Sequence, residues 1–368
     1  MAMLPQPPSD SPTVKAIYAY HESQRESCPR TYVGASQIGH ACARKLWYDF
    51  RHCGQAEFDG RMLRLFETGD LAEIRFVTEL KAIGCEVYDV DPNTGEQFEV
   101  KSLGGHFSGH MDGAGRGFPE AEKAWHVLEF KTHNAKSFAQ LKAKGVKASK
   151  PMHYAQMACY MKLTGMKRAF YLAANKDTDH LYSERLRWED VKDDAERLMD
   201  RAESIINASQ PPEKIGDSAD HYNCKWCEHT DRCHGTDAVG PAVRCGTGCR
   251  TCVYSTPEMD TDQGRWSCGY HTITLTVEKQ EIGCPNHLFI PDLVTFAKPV
   301  DSSPDWIEYE NQDGAKWKNG KEHYDSKELA DLPKSLVGAG AFADMKEVFG
   351  DDIQIERIRQ DGNATDSR

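Results

Sequence analysis

Two acidic side chains and one amine are spaced for metal-assisted hydrolysis. Asp112 ends one strand-like segment, and Glu129 and Lys131 lie in another, at 125–131. Because side chains alternate along a strand, Glu129 and Lys131 share one face of the predicted strand while Phe130 points to the other. Carboxylates suit Mg²⁺ and Mn²⁺, and such an ion lowers the pKa of a bound water and neutralises phosphate charge. The spacing therefore predicts a metal site with an activated water, which Lys131 orients or helps to deprotonate.

Two further polar side chains lie in a segment that can form a helix. Pro151 suits the first turn of a helix, and Gln156 and Tyr160 follow it, four residues apart. Residues at this spacing project from one helix face, so we expect the two side chains to act together.

In the order and spacing of these residues the chain resembles the PD-(D/E)XK nuclease superfamily. Within it, the chain is most similar to the RecB-like branch, which includes CRISPR-adaptation and phage recombination exonucleases. The matching features are Asp112, the triplet 129–131, Gln156 and Tyr160, with Met111 where the family has a proline. The resemblance implies that the two acids hold the metal and that Lys131 positions the attacking water. It also implies that Gln156 and Tyr160 support Lys131, the metal-bound water or the DNA strand.

A third carboxylate is expected from a long helix. Residues 62–83 have apolar side chains at helical spacing, and Gly84 is a natural stop. Within this helix, Gly69 and Glu73 resemble the family's first motif, in which a His or Glu four residues after a glycine reaches the metal. The resemblance makes Glu73 the candidate third metal ligand. A solvated helix glutamate is the alternative, and Glu67 could take its place.

The thirteen cysteines are more readily interpreted as metal or cluster ligands than as disulfides in a reducing compartment. Cys224, Cys227 and Cys233 form a C-x2-C-x5-C pattern, and Cys42 lies alone near the N-terminus. The set resembles the iron-sulfur staple of the RecB-like branch, which implies a [4Fe-4S] cluster in four thiolates. Zinc in the same thiolates is the alternative, because spacing alone does not separate the two metals. For Cys42 itself, a buried free thiol is the other interpretation.

A second cysteine-rich segment, 245–291, predicts a small module resembling a zinc ribbon. Three C-x-x-C or C-x-x-H knuckles compete there for one ion. The candidate ligands are Cys249, Cys252, Cys268, His271 and Cys284. The first three are the safest ligands, and His271 or Cys284 is the expected fourth. A structural role, or a clamp on DNA or a partner, is expected, and a second iron-sulfur centre remains open.

Lysines concentrate between the strand of Lys131 and the helix of Gln156. Residues 131–150 contain six lysines and no acidic residue, although the whole chain has a net charge of −12. So acidic a chain does not coat nucleic acid nonspecifically, and any DNA contact must be local. The residues expected to contact the DNA backbone are Lys136, Lys142, Lys144, Lys147 and Lys150. A solvated charged face is the alternative.

The predicted elements that position these residues are typical of an α/β fold. Ser36 is expected to cap a first helix, and strands over 85–112 are expected to form an antiparallel meander that delivers Asp112 to a sheet edge. Strands at 168–174 and 181–188 and a helix at 189–208 complete the expected core. This order predicts a restriction-endonuclease-like core with a mixed central sheet flanked by helices. A small cysteine-rich C-terminal metal-binding domain is expected to follow it.

We expect four parts along the chain. They are a disordered tail at 1–12, a RecB-like nuclease domain with its iron-sulfur staple at 13–235, the zinc-ribbon-like module at 245–291, and an accessory hairpin region with a polar tail at 292–368. No apolar segment is long enough to span a membrane and no signal-peptide pattern is present, which predicts the cytosol of a bacterial host.

The resemblance implies an Mg²⁺- or Mn²⁺-dependent DNA exonuclease carried by a phage or prophage, acting in recombination, repair or replication. The expected partners are linear DNA, single- or double-stranded, and recombination or replication proteins. One alternative is a noncatalytic DNA-binding recombination adaptor that keeps the fold and the staple. The intact set of two acids and a lysine speaks against it, since an adaptor has no need to hold buried charges together. A structure-specific endonuclease or resolvase using the same centre is the other alternative.

Overall fold

The structure is a computed structural model that describes residues 11–24, 30–54, 58–235 and 240–339. The tail expected at 1–12 lies outside these ranges except for its last two residues, and Pro12 already begins a helix. The polar C-terminal tail lies outside them as well. None of the helices in the described ranges is long and apolar enough to cross a membrane.

Helices and strands alternate through the first two thirds of the chain. The helices are α1 Pro12–Ser23, α2 Ala43–Phe50, α3 Gly60–Ala82, α4 Ala135–Ser149, α5 Pro151–Thr164, α6 Trp188–Asn207, α7 Thr230–His234, α8 Val277–Ile282 and α9 Ser326–Asp331. The strands are β1 Val33–Gly34, β2 Glu86–Tyr88, β3 Glu99–Ser102, β4 Phe107–His110, β5 Gly113–Arg116, β6 His126–His133, β7 Arg168–Asn175, β8 Leu181–Arg187, β9 Ser255–Pro257, β10 Trp266–Cys268, β11 Ile273–Leu275, β12 Ala297–Ser303, β13 Trp306–Asn311 and β14 Lys316–Gly320.

The central sheet has five strands in the order β2-β5-β6-β7-β8. β6 and β7 run parallel, and the other neighbours run antiparallel. A parallel pair needs a crossover connection, which α4 and α5 supply between β6 and β7. The prediction of a mixed α/β fold is therefore confirmed.

Two helical layers cover this sheet. On one face, Phe76 of α3 packs against Phe130 of β6, with their rings 5.4 Å apart. On the other face, α5 packs over β6 and β7, α6 packs against α5 and β8, and Val127 and Tyr171 are buried in this layer. Because side chains alternate along β6, Phe130 faces α3 while Glu129 and Lys131 face the α5 side, as the sequence predicts.

The strands at 86–116 do not form the expected meander. β2 pairs with β5, whereas β4 pairs with β1 and β3 in a separate three-stranded sheet. Asp112 thus lies where the chain passes from one sheet to the other. Gly113 makes this passage possible, because its φ is +150° and a Cβ there would meet the carbonyl oxygen of Tyr88 at 2.6 Å.

The first predicted helix begins later than expected. Ser36 is not its cap, since the amides of Gln37 and Ile38 donate to the Gly34 carbonyl in a turn. The helix starts at Ala43, and the side chain of Cys42 caps it by accepting a hydrogen bond from the Lys45 amide at 3.4 Å. A thiol therefore takes the place that sequence preferences assign to a hydroxyl or carboxylate.

The C-terminal segments form two small sheets that share a core with the first part of the chain. Their strand orders are β11-β10-β9 and β12-β13-β14, all antiparallel. Trp266 of β10 is fully buried, with its ring 5.2 Å from that of Phe50 in α2. The guanidinium groups of Arg51 and Arg250 lie over the same indole. One hydrophobic core is therefore continuous across the boundary expected near 235–245.

Candidate active site and cysteine sites

The structure brings Asp112, Glu129 and Lys131 together. The Lys131 ammonium lies 2.7 Å from Glu129 Oε1 and 3.3 Å from Asp112 Oδ2. The Asp112 side chain also accepts a 2.6 Å hydrogen bond from the Phe130 amide, and Lys131 donates to the Phe130 carbonyl at 2.8 Å. These bonds fix Asp112 against β6 although the two segments are not neighbours in sequence.

Glu129 has the most unusual environment of the three. Its side chain is 0 % exposed, and burial raises its pKa to about 8 against the opposing charge of Lys131. Although Lys131 is close enough for an ion pair, neither oxygen of Glu129 accepts a well-directed hydrogen bond. A carboxylate that is fully buried with one ammonium beside it is still costly to ionise, and a divalent cation is one ligand that would stabilise its charged form.

The pKa of Lys131 is raised as well, but by the charges of its neighbours and not by burial. Burial alone would lower its pKa, but the carboxylates of Glu129 and Asp112 prevail and hold its pKa above the usual range. The ammonium group is therefore protonated at neutral pH, and it can donate hydrogen bonds but cannot accept a proton.

Glu73 reaches this group from α3. Burial, followed by the charge of Asp112, raises the pKa of Glu73 to about 7. Glu67, the alternative in the same helix, is exposed. The carboxylates of Glu73, Asp112 and Glu129 do not all lie within 4.8 Å of one another in the described structure. Mg²⁺ usually keeps several waters, so this spacing suits a hydrated ion that some of these carboxylates would bind through water.

Gln156 and Tyr160 lie side by side on α5, as their spacing predicts. The Gln156 amide donates to the Tyr160 hydroxyl at 3.3 Å, and that hydroxyl donates to the His110 carbonyl at 2.7 Å. A Cβ at position 109 would meet the Tyr160 hydroxyl at 2.7 Å, so Gly109 allows this contact. The pair thus holds the backbone two residues before Asp112 and makes no hydrogen bond to Lys131.

Sequence reasoning missed a hydrogen-bonded group behind Lys131. The Tyr171 hydroxyl lies 2.8 Å from His133 Nε2 and 2.9 Å from His153 Nδ1. Tyr171 is the register partner of Glu129 across the parallel pair β6 and β7. Burial, with the charge of Lys131, lowers the pKa of His153 to about 3, so its imidazole is neutral. No sequence signal gives this register, because parallel pairing joins segments far apart in the chain.

The predicted DNA-contacting lysines divide into two groups. Lys136, Lys142 and Lys144 are exposed on α4 and form no ion pair with any described residue. Lys147, by contrast, lies 2.9 Å from Asp194 of α6, and Lys150 donates to Ser137 Oγ at 2.8 Å. The first three lysines are therefore the free cations of the predicted cluster.

The structure places Cys42, Cys224, Cys227 and Cys233 around one cavity. Cys42 caps α2, Cys224 and Cys227 lie in a turn closed by the bond from the Cys227 amide to the Cys224 carbonyl, and Cys233 lies in α7. The cavity therefore joins the first part of the chain to the end of the predicted nuclease domain.

Beside this cavity lies a compact polar group. In the described structure, three ligand atoms come within 4.8 Å of one another only at Asp49, Glu228 and His229, a geometry that could hold a cation. The Lys45 ammonium already lies 2.7 Å from both carboxylates, and His229 Nε2 lies 2.7 Å from Asp49. We interpret the group as an ion-pair network that fastens α2 to the cysteine turn, because Lys45 already supplies the cation.

The second predicted set also converges. Cys249, Cys252, Cys268 and Cys284 line a cavity of about 250 Å³, and His271 Nε2 lies 3.6 Å from the sulfur of Cys284. All five candidate residues of the zinc prediction thus lie at one site.

Comparison with known proteins gives a distant likeness. Neither a family model nor a curated protein matches the chain. Among solved structures, the chain is similar to SSO0001 at 16% identity and a TM-score of 0.34, over 59% of this chain and 91% of that one.

The chain is also similar to LHK-Exo, an alkaline exonuclease from Laribacter hongkongensis. The complex of LHK-Exo with dAMP has 16% identity and a TM-score of 0.35, covering 52% of this chain and 89% of the other. A second structure of LHK-Exo has 16% identity and a TM-score of 0.33, covering 48% of this chain and 90% of the other. At such identities and TM-scores the likeness says nothing of what this chain does.

Proposed function

We propose that the chain is a metal-dependent deoxyribonuclease that hydrolyses phosphodiester bonds. One observation carries the proposal: the fully buried carboxylate of Glu129 lies 2.7 Å from Lys131, beside Asp112, and lacks hydrogen-bond donors of good geometry. Holding such charges together is costly unless a cation or a substrate engages them. The arrangement therefore favours a catalytic centre over a structural ion pair.

The chain's own residues divide the work. Mg²⁺ or Mn²⁺ held by Asp112, Glu129 and Glu73 would supply a water of lowered pKa and neutralise charge on the scissile phosphate. Lys131 stays protonated, so it orients the attacking water or donates to a phosphate oxygen rather than removing a proton. Since the pKa of Glu73 is about 7, cation binding there is coupled to proton release near neutral pH.

In this proposal Gln156 and Tyr160 position Asp112 through the backbone and do not contact its side chain. Their hydrogen bonds end on the carbonyl of His110 and so fix the backbone that leads into Asp112. This is a positioning role, and it differs from the direct support of Lys131 or of DNA that the family resemblance implies.

The exposed face of α4 is the proposed path of the DNA backbone. Lys136, Lys142 and Lys144 extend from the helix that follows the strand of Lys131. Phosphate contacts by such lysines contribute to affinity through counterion release, independently of sequence. The resemblance to RecB-like nucleases adds two finer proposals: attack from DNA ends, and a role in phage or prophage recombination, repair or replication.

A [4Fe-4S] cluster in Cys42, Cys224, Cys227 and Cys233 belongs to the same proposal. Four thiols around one cavity are the full donor set of such a cluster. No three of their sulfurs come within 4.8 Å of one another, whereas zinc–sulfur bonds of about 2.3 Å place the sulfurs of a tetrahedral zinc site about 3.8 Å apart. The wider spacing supports a cluster over zinc.

The proposal is tested by incubating the purified protein with end-labelled linear DNA and Mn²⁺. We expect shortening of the linear DNA by the wild-type chain, no cleavage by Lys131→Ala, and unchanged DNA binding by that variant. Lys192→Ala, which removes an exposed lysine of α6, is the matched control and should cleave normally.

Each other outcome has a distinct meaning. Complete inertness of the wild-type chain with retained DNA binding would replace the nuclease by a DNA-binding adaptor. Cleavage of covalently closed circles would make the enzyme an endonuclease. Metal-dependent cleavage that persists in Lys131→Ala would contradict the role given to this lysine.

A further inference from the structure

The second cysteine site is built from three separate pieces of chain. Cys249 and Cys252 flank a short helical turn, Cys268 ends β10, and Cys284 follows α8. Three of the four are buried, and Cys284 lies nearer the surface. Four thiols without a carboxylate among them form a soft donor set, which suits zinc or iron.

The spacing of the donors separates these two metals. No three of the four sulfurs and the His271 nitrogens come within 4.8 Å of one another. A structural zinc site binds all four ligands directly and holds its sulfurs about 3.8 Å apart, because each zinc–sulfur bond is about 2.3 Å. A four-iron cluster binds each thiolate through a different iron, so its ligand sulfurs stand further apart around a larger body.

The thiols line a cavity that has room for more than a single ion. Its volume is about 250 Å³. Its walls include apolar side chains of β11, Ile273 and Leu275. The amide of His271 donates to the sulfur of Cys268 at 3.5 Å, and such bonds to the sulfurs help set the potential of a cluster.

We infer that Cys249, Cys252, Cys268 and Cys284 hold an iron-sulfur cluster of the [4Fe-4S] type, and that this site is not a zinc ribbon. All four positions of the cluster are then filled by thiolates, and His271 is left beside Cys284 rather than serving as a ligand. The inference does not depend on nuclease activity, because it uses only the donor set, its spacing and its cavity.

Metal and sulfide analysis of the full chain, purified without oxygen, tests this inference. We expect Cys268→Ser to lose about four irons per chain with matching inorganic sulfide. The visible absorbance of the protein should fall in proportion. Cys85→Ser, which removes a buried thiol outside both cysteine sites, is the matched control and should keep the wild-type metal content.

Comparison of the variants separates the two sites. Cys224→Ser should lose the iron of the first site alone, so the losses from Cys224→Ser and Cys268→Ser should add in the double variant. About one zinc per chain that disappears in Cys268→Ser, with iron unchanged, would overturn the inference. So would a metal content that Cys268→Ser leaves unaltered.

A measurement on the unmodified chain covers the case in which Cys268→Ser fails to fold. Mössbauer spectra of wild-type protein grown with ⁵⁷Fe should match about eight irons per chain in tetrathiolate-bound clusters. About two tightly bound zincs and no iron would contradict the inference without any variant. Four irons with one zinc would contradict it if Cys224→Ser then loses all of the iron, because the iron would belong to the first site.

Discussion

The acid and lysine site and the two cysteine sites are held in place by different means. Glu129 and Lys131 share one strand of the central sheet, and Asp112 is fastened to that strand through the Phe130 amide. The cysteines come from turns, helix ends and strand ends that meet around cavities. The sheet organises the first site before any ligand arrives. In our proposal, the cysteine sites need their metal cluster to hold separate loops together.

Replacing a ligand should therefore affect the two kinds of site differently. At the sheet site, function should be lost while the fold remains. At a cysteine site, the fold should be lost first. Four experiments test this difference between the sites.

The largest effect is expected for Glu129→Gln. The variant keeps the shape of the side chain but removes its charge from the buried pair with Lys131. We expect the cleavage rate to fall about 1,000-fold, the scale on which loss of one preorganised electrostatic group acts. The far-ultraviolet circular dichroism of the protein should not change. Loss of helical signal together with activity would show that the fold depends on this carboxylate. The expectation that the sheet site loses function while the fold remains would then be wrong.

Cys224→Ser should have the opposite profile. Without its fourth thiolate the proposed cluster cannot form, and α2 stays joined to the cysteine turn only by contacts such as the Lys45 ion pairs and the His229–Asp49 pair. We expect a loss of about 3 kcal/mol in the free energy of unfolding, comparable to that of a lost covalent clip, and a Tm lower by about 10 °C. Thermal unfolding of Cys224→Ser and Cys85→Ser measures this effect. An unchanged Tm would mean that the cavity needs no ligand.

The sequence predicted the parts of this contrast that depend on local geometry. Alternation along β6 placed Glu129 and Lys131 on one face, and helical spacing placed Gln156 beside Tyr160. The family resemblance brought Cys42 to the later cysteines, which no local rule could do. The mixed α/β class also followed from the order of the elements.

Non-local pairing explains what the sequence did not predict. β5 was missed because Gly113 and its neighbours have little strand propensity, and β5 is defined by pairing with β2 and β6. The hydroxyl of Tyr171 meets two histidines only because β6 and β7 lie parallel in one register. The thiol cap at Cys42 departs from the preference for hydroxyl and carboxylate caps, so sequence statistics favoured Ser36.

The third experiment uses the raised pKa of Glu129 in metal-free protein. The pKa rises on folding from its usual 4.5 to about 8, so the folded state binds the proton more tightly than the unfolded state. The stability that this group contributes is therefore complete below about pH 4.5 and is lost as the pH rises through about 8. Glu129→Gln lacks this titration. Its stability relative to that of the wild-type chain should therefore increase as the pH rises.

Thermal unfolding in a chelating buffer at pH 5.5 and pH 8.5 measures the difference. We expect the variant to gain about 3 kcal/mol of stability relative to the wild-type chain between pH 5.5 and pH 8.5, or about 10 °C in Tm, because most of this interval lies between the two pKa values of 4.5 and about 8. Added Mn²⁺ should stabilise the wild-type chain and leave the variant nearly unchanged. A gap that widens toward low pH would have the wrong sign and would contradict the environment assigned to Glu129.

The smallest effect is expected at the surface of α4, where two lysines provide a matched pair. Lys142 is exposed and free of ion pairs within the described residues, whereas Lys147 is neutralised by Asp194 at 2.9 Å. Lys142→Ala should weaken DNA binding a few-fold and lower the slope of log affinity against log salt by about one. Lys147→Ala should change that slope less, because its charge is already paired. Titration of a labelled duplex at several salt concentrations measures both slopes, and a slope that Lys142→Ala leaves unchanged would place the DNA elsewhere than on this face of α4.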